Sequence, residues 1–159
     1  MSRVDPLAGR VFAALVLACF AAFFVTQRLK HTPLAVQEFT RTPFFSPTRS
    51  GRHKEERIAF KLPKAERITV QIVSTSGGSV VATLVSDLPA PRYKRVSLRW
   101  NGRRGMPARV TVRAKPDGSL LVRPVNRGRP APAGEYRVEV VRRYGRPVLA
   151  PASFTLVRR

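Results

Sequence analysis

Residues Val11 to Gln27 form an unbroken uncharged run, VFAALVLACFAAFFVTQ, bounded by Arg10 and Arg28. A helix that crosses a bilayer needs about 20 apolar residues, with a lower limit near 17. The run sits at that limit and predicts one transmembrane helix over 11–27, after a tail of residues 1–10. The chain has 159 residues, so the remainder beyond the run suffices for one domain rather than two.

Three readings compete for the run. A cleaved signal peptide ends in a small-x-small site, but Phe20, Phe23 and Phe24 stand where cleavage would fall. A lipoprotein would use Val16-Leu17-Ala18-Cys19, yet the residues after Cys19 stay apolar instead of turning polar. An uncleaved signal anchor fits both observations. Cys19 is then a small apolar helix residue. It is also the single cysteine, so no intrachain disulfide holds the domain. Orientation stays open by charge. Arg3 and Arg10, offset by Asp5, precede the run, while Arg28, Lys30 and Arg41 lie beyond it.

The net charge is +21, and arginine outnumbers lysine 24 to 6. A GC-rich genome favours arginine codons. A polyanionic partner such as anionic lipid, a cell-wall polymer or nucleic acid selects arginine for its charge. Both causes can act together.

Residues 28–44 lack a sustained period and read as a stalk, kept extended by Pro33 and Pro43. His31 and His53 are the only histidines. Neither has a second ligand at metal-like spacing, so both read as solvated surface residues.

From Arg57 the period becomes two. Ile58, Phe60 and Leu62 share one face, with Arg57 and Lys61 on the other. Ile68, Val70 and Ile72 repeat the pattern, as do Val96, Leu98 and Trp100, and Tyr136, Val138 and Val140. Such alternation marks half-buried strands of an antiparallel sheet. Ser76-Gly77-Gly78-Ser79 is a turn before a strand over Val80–Val85, and Leu88-Pro89-Ala90-Pro91 reads as a connecting loop. Lys115-Pro116-Asp117-Gly118 joins a hairpin of Val110–Arg113 and Leu120–Arg123. The expected fold is therefore all-β, an antiparallel β-sandwich of about eight short strands behind one transmembrane helix. Fourteen prolines and ten glycines fit short strands and turns, and no helix-period segment lies beyond the anchor. Rossmann and P-loop enzymes are disfavoured accordingly.

An ordered set of pieces adds to this. It comprises Phe60-x-Leu62, Ile68-Thr69-Val70-Gln71-Ile72-Val73, Gly78-x-Val80-Val81-x-Thr83-Leu84, Trp100-Asn101-Gly102-Arg103 and Pro132-Ala133-Gly134-Glu135-Tyr136-Arg137-Val138. The set resembles the immunoglobulin-like domain of the flagellar hook-capping family, the FlgD/Vpr type, over residues 45–159. Phe45-Ser46-Pro47 is similar to the opening of related surface domains. The resemblance implies an Ig-like sandwich that works outside the cytoplasm, by fold-level analogy. Two departures stand out. Thr48-Arg49-Ser50-Gly51-Arg52 replaces the Asn and Asp that relatives carry, so no calcium site is expected. Residues 104–126 form an insertion holding the predicted hairpin, with Arg109, Arg113, Lys115 and Arg123, and Arg127 and Arg129 come just after it. A hook-assembly scaffold is a weaker expectation, because those proteins carry a substantial region before the Ig-like part.

Trp100 is expected to plug the sandwich, Asn101-Gly102 to turn the chain at positive backbone angles, and Gly134 to make the turn before Tyr136. These are fold-forming roles. No constellation supports catalysis and no cofactor is implied. Glu55-Glu56 reads as a solvated charge cluster, and Glu135 and Glu139 share an outer face with Arg137. The non-enzymatic expectation is a structural, adhesive or envelope-interaction role. The basic candidates for an anionic partner are Arg57, Lys61, Arg67, Arg99, Arg109, Arg113 and Arg137, all expected to face solvent. Aromatics are not interleaved with them, which disfavours base stacking on nucleic acid.

Overall fold

The structure is a computed structural model that describes residues 6–30, 35–48 and 53–158. The N-terminal tail before Pro6, His31 and the loop residues 49–52 lie outside the described residues. Two units are distinct, Met1–Leu34 and Ala35–Arg159.

Among the described residues the first unit is a single helix, α1 (Pro6–Lys30). It starts on a proline, whose missing N–H costs nothing in the first turn. Its apolar stretch Gly9–Gln27 covers 19 residues, about 28 Å at 1.5 Å per residue, close to the thickness of a bilayer core. The helix is thus longer than the uncharged run, extending into both flanks. None of this stretch is buried within the protein. The one hydroxyl near its end, that of Thr26, bonds back to the carbonyls of Ala22 and Phe23 at 2.9 and 2.8 Å. Such back-bonding satisfies a polar group that hydrocarbon could not.

The second unit is a β-sandwich of ten strands among the described residues. They are β1 (Gln37–Thr40), β2 (Phe44–Phe45), β3 (Glu56–Lys61), β4 (Glu66–Ser74), β5 (Val80–Ala90), β6 (Val96–Trp100), β7 (Pro107–Ala114), β8 (Leu120–Asn126), β9 (Gly134–Arg142) and β10 (Val148–Leu156). The first sheet has the order β1-β3-β6-β8-β7, and the second β2-β10-β9-β4-β5.

Alternation places the core. Ile58 and Phe60 on β3 pair with Leu98 and Val96 on β6, and all four are buried. Val70 and Ile72 on β4 pair with Val140 and Val138 on β9, again buried. These two inner faces meet in one hydrophobic cluster. At one end Trp100 contacts Phe45, Tyr136 and Phe154 with ring centroids 5.5, 5.4 and 6.0 Å apart, edge-on or tilted as aromatic quadrupoles prefer. The polar handles are satisfied locally. Trp100 Nε1 donates to the Arg103 carbonyl at 2.8 Å, and Tyr136 Oη to that of Pro132 at 2.7 Å.

The corner after Trp100 is tight. Gly102 has φ 73° and is buried, and a Cβ there would lie 2.7 Å from Pro47 Cγ. Asn101 braces it by donating to the Asn126 carbonyl at 3.0 Å and accepting from the Arg103 N–H at 3.2 Å. Gly134 is the exposed first residue of β9, and Tyr136 enters the core two residues later.

Three expectations need correction. The sandwich is not purely antiparallel. β6 pairs β8 in parallel and β2 pairs β10 in parallel, because β7 takes the sheet edge and β8 returns between it and β6. The stalk does not reach residue 44. Val36 is buried in the core and β1 pairs β3, so the sandwich begins at Ala35. The loop expected at Leu88–Pro91 is mostly strand, since β5 runs on to Ala90. It lies at a sheet edge, where the missing N–H of Pro89 breaks no ladder. The expected hairpin of the insertion is present, with β7 and β8 paired antiparallel, and Val122 of β8 is wholly buried in the shared core. Its turn is closed by Asp117, whose Oδ1 accepts from the N–H and hydroxyl of Ser119 at 2.9 and 2.7 Å. These bonds hold the Asp117 carboxyl below its usual range.

Candidate anion-binding face

Every inward residue of a strand sends its neighbours outward, so the fold sorts the basic residues onto two outer faces. On the first sheet, Arg57 is the register partner of Arg99. Arg99 lies one residue beyond the parallel pair Leu98–Val122, which sets it beside Arg123. Arg123 pairs in turn with Thr111. Three arginines therefore stand abreast on β3, β6 and β8, at a strand spacing of about 4.8 Å. Like charges directly opposite each other destabilise a sheet. Arg113 and Arg109 continue the same face on β7, opposite Leu121 and Val125.

The next rung is made of side chains shorter than arginine. Thr40, Ala59, Ser97 and Leu121 succeed one another across four strands. Between the taller rung of Arg57 and Arg99 on one side and Arg95 on the other, this row leaves a hollow of about 200 Å³. Arg95 is held at its rim by an Nη2 bond to Thr40 Oγ1 at 3.0 Å. Arg99 Nη1 reaches Glu55 Oε2 at 3.3 Å. The Arg57 guanidinium is exposed and makes no hydrogen bond or ion pair among the described residues.

Of the seven basic candidates read from sequence, the first sheet gathers Arg57, Lys61, Arg99, Arg109 and Arg113. Lys61 is tied to Glu38 at 2.7 Å. Arg67 and Arg137 lie on the second sheet. Arg67 is bound to Asp87 at 2.6 Å, which holds that carboxyl below its usual range. Arg137 is half-buried between Glu135 and Glu139 on β9. No ion pair joins it to either among the described residues, and Glu135 accepts instead from the Ser153 hydroxyl. Sequence reading passed over Arg95 and left Arg123 out of the candidate set. The signal for Arg95 is its place two residues before Ser97 in the alternation of β6.

Glu56 also departs from expectation. It is not part of a solvated cluster but fully buried, in register with Trp100. Burial pushes its carboxyl up to about 8, although the Thr42 N–H donates to Oε1 at 2.8 Å and Arg41 lies near. Its Oε2 and Arg41 Nε are both buried without a hydrogen bond among the described residues. His53 is exposed, with its ring stacked 5.4 Å from that of Phe44.

A scan of protein-family models finds no match to this chain, and a comparison with curated proteins finds none either.

Proposed function

We propose that this chain is a non-enzymatic, single-pass membrane protein that displays an Ig-like sandwich outside the cytoplasm and holds it against the anionic material of the envelope. The working surface is the outer face of the first sheet. The observation that carries the reading is the like-charge register pair Arg57–Arg99, with Arg123 exposed on the next strand. A polyanion relieves that repulsion and gains charge-assisted bonds from forked donors.

Two further features support it. α1 is long and apolar enough to span a bilayer, by length and composition. The resemblance to the hook-capping Ig-like domain supplies the outward orientation, which flanking charge leaves open.

Topology is the first test. A C-terminal reporter that is active only outside the cytoplasm is expected to be active on the full chain. Activity of a cytoplasm-only reporter in its place overturns the extracytoplasmic assignment.

A further inference from the structure

We infer that the hollow on the first sheet is a discrete site for one phosphate ester, the tetrahedral unit by which an anionic polymer or lipid headgroup is gripped. The inference rests on the proposed function and names the ligand class and the subsite within that face. Its size and its floor support it first. Arg57, Arg95 and Arg99 surround a hollow of about 200 Å³, a space suited to a small headgroup-sized unit rather than to a bulky polymer segment. Ala59 and Ser97 lie at its floor, so the depression comes from two short side chains set between taller neighbours.

The donor supply also points one way. Each guanidinium carries five N–H donors in a planar fork. Arg95 commits one bond to Thr40 and Arg99 one to Glu55, while Arg57 commits none from its side chain among the described residues. These bonds orient Arg95 and Arg99 and leave most of their donors unused. A carboxylate has two oxygens and is served by one fork, whereas a phosphate ester presents oxygens in several directions and can engage forks from two or three sides. Three positive groups against the single charge of Glu55 leave the hollow net positive, which favours an anionic occupant.

The test uses the full chain in nanodiscs of zwitterionic lipid, titrated calorimetrically with inorganic tripolyphosphate. Arg57→Gln with Arg95→Gln is expected to weaken binding at least about tenfold. Arg109→Gln with Arg113→Gln removes the same charge from the same face away from the hollow and is expected to weaken it less than about threefold. Ser97→Leu fills the floor without changing charge and is expected to weaken binding like the first pair. Equal losses for the two arginine pairs, with Ser97→Leu unchanged, overturn the discrete site while leaving the basic face standing. Absence of wild-type binding to both tripolyphosphate and phosphatidylglycerol vesicles overturns the face and the site together. Competition between vesicles and tripolyphosphate, with a parallel loss in the Arg57/Arg95 variant, supports a lipid headgroup as the source. Vesicle binding that ignores this variant while tripolyphosphate binding is lost supports the phosphate of a soluble polymer.

Discussion

The two outer faces of the sandwich share one core and one alternating pattern, yet they carry opposite electrostatic designs. On the second sheet, Arg67 is paired with Asp87, and Arg137 sits between two glutamates. On the first, Arg57 is opposite Arg99, Arg123 follows on β8, Arg109 and Arg113 continue on the edge strand, and among the described residues the ion pairs are Arg99 with Glu55 and Lys61 with Glu38. A genome that supplies arginine codons acts on both faces alike, so a compositional cause predicts no such asymmetry. Placement, and not the total of +21, is therefore the informative quantity.

Both faces hang on a single core, and their mutual dependence is greatest at Trp100. This side chain is fully buried and touches rings from β2, β9 and β10 of the opposite sheet. Trp100→Ala is expected to cost roughly 3–5 kcal/mol, read by denaturant unfolding of the full chain in detergent. A near-neutral outcome would mean that the sheets do not depend on each other through this residue.

Glu56 probes the same dependence from the inside. Its carboxyl is raised from an ordinary 4.5 to about 8, so the folded state binds the proton more tightly than the unfolded chain. Linkage sets the sign. Stability is fully present below pH 4.5 and declines as pH rises through about 8, by roughly 3–5 kcal/mol for a shift of this size. Glu56→Gln should flatten this decline and be more stable than the wild type at about pH 8. An unchanged pH profile would show that Glu56 does not stay buried.

The mildest effect sets one face against the other. Relieving the like-charge pair by Arg57→Gln is expected to raise stability at low salt by roughly 0.2–1 kcal/mol, and the gain should shrink as salt screens the repulsion. Arg67→Gln, which removes the partner of Asp87, should shift stability slightly the other way. Thermal unfolding at two ionic strengths reads both. Shifts of the same sign would erase the distinction between the faces.

Much of this fold could be read in the chain. β3, β4, β6 and β9 announce themselves because Ile58/Phe60, Val70/Ile72, Val96/Leu98 and Val138/Val140 recur with period two. β1 did not, since it has four residues, a register irregularity, and Glu38 at φ 47°, which together blur any alternation. The parallel pairs leave no local trace, because pairing direction depends on where the chain returns and not on side-chain period. Proline suggested a loop at Pro89, but an edge strand tolerates it. Glu56 was hidden by its neighbour Glu55: two adjacent acids look like one charged patch, whereas Glu56 opens β3 on its inward side and Glu55 lies just before the strand. The candidate site was half legible. The outward parity of Arg57 and Arg99 is present in the sequence, but their juxtaposition with Arg123 requires the parallel register of β6 and β8.

If the first sheet's outer face binds anionic polymer, and the charge of the chain as a whole does not, the salt dependence of binding must differ between the two faces. Polyphosphate binding by the full chain in zwitterionic nanodiscs, titrated at several salt concentrations, reads this difference. Replacing Arg109, Arg113 and Arg123 with glutamine should reduce the slope of log affinity against log salt by about 2, as expected when three phosphate contacts are lost from a single-stranded polyanion. Replacing Arg67 and Arg137 on the second sheet should leave the slope within error of the wild type. Equal reductions in both variants would contradict the assignment and return the arginines to a uniform positive background.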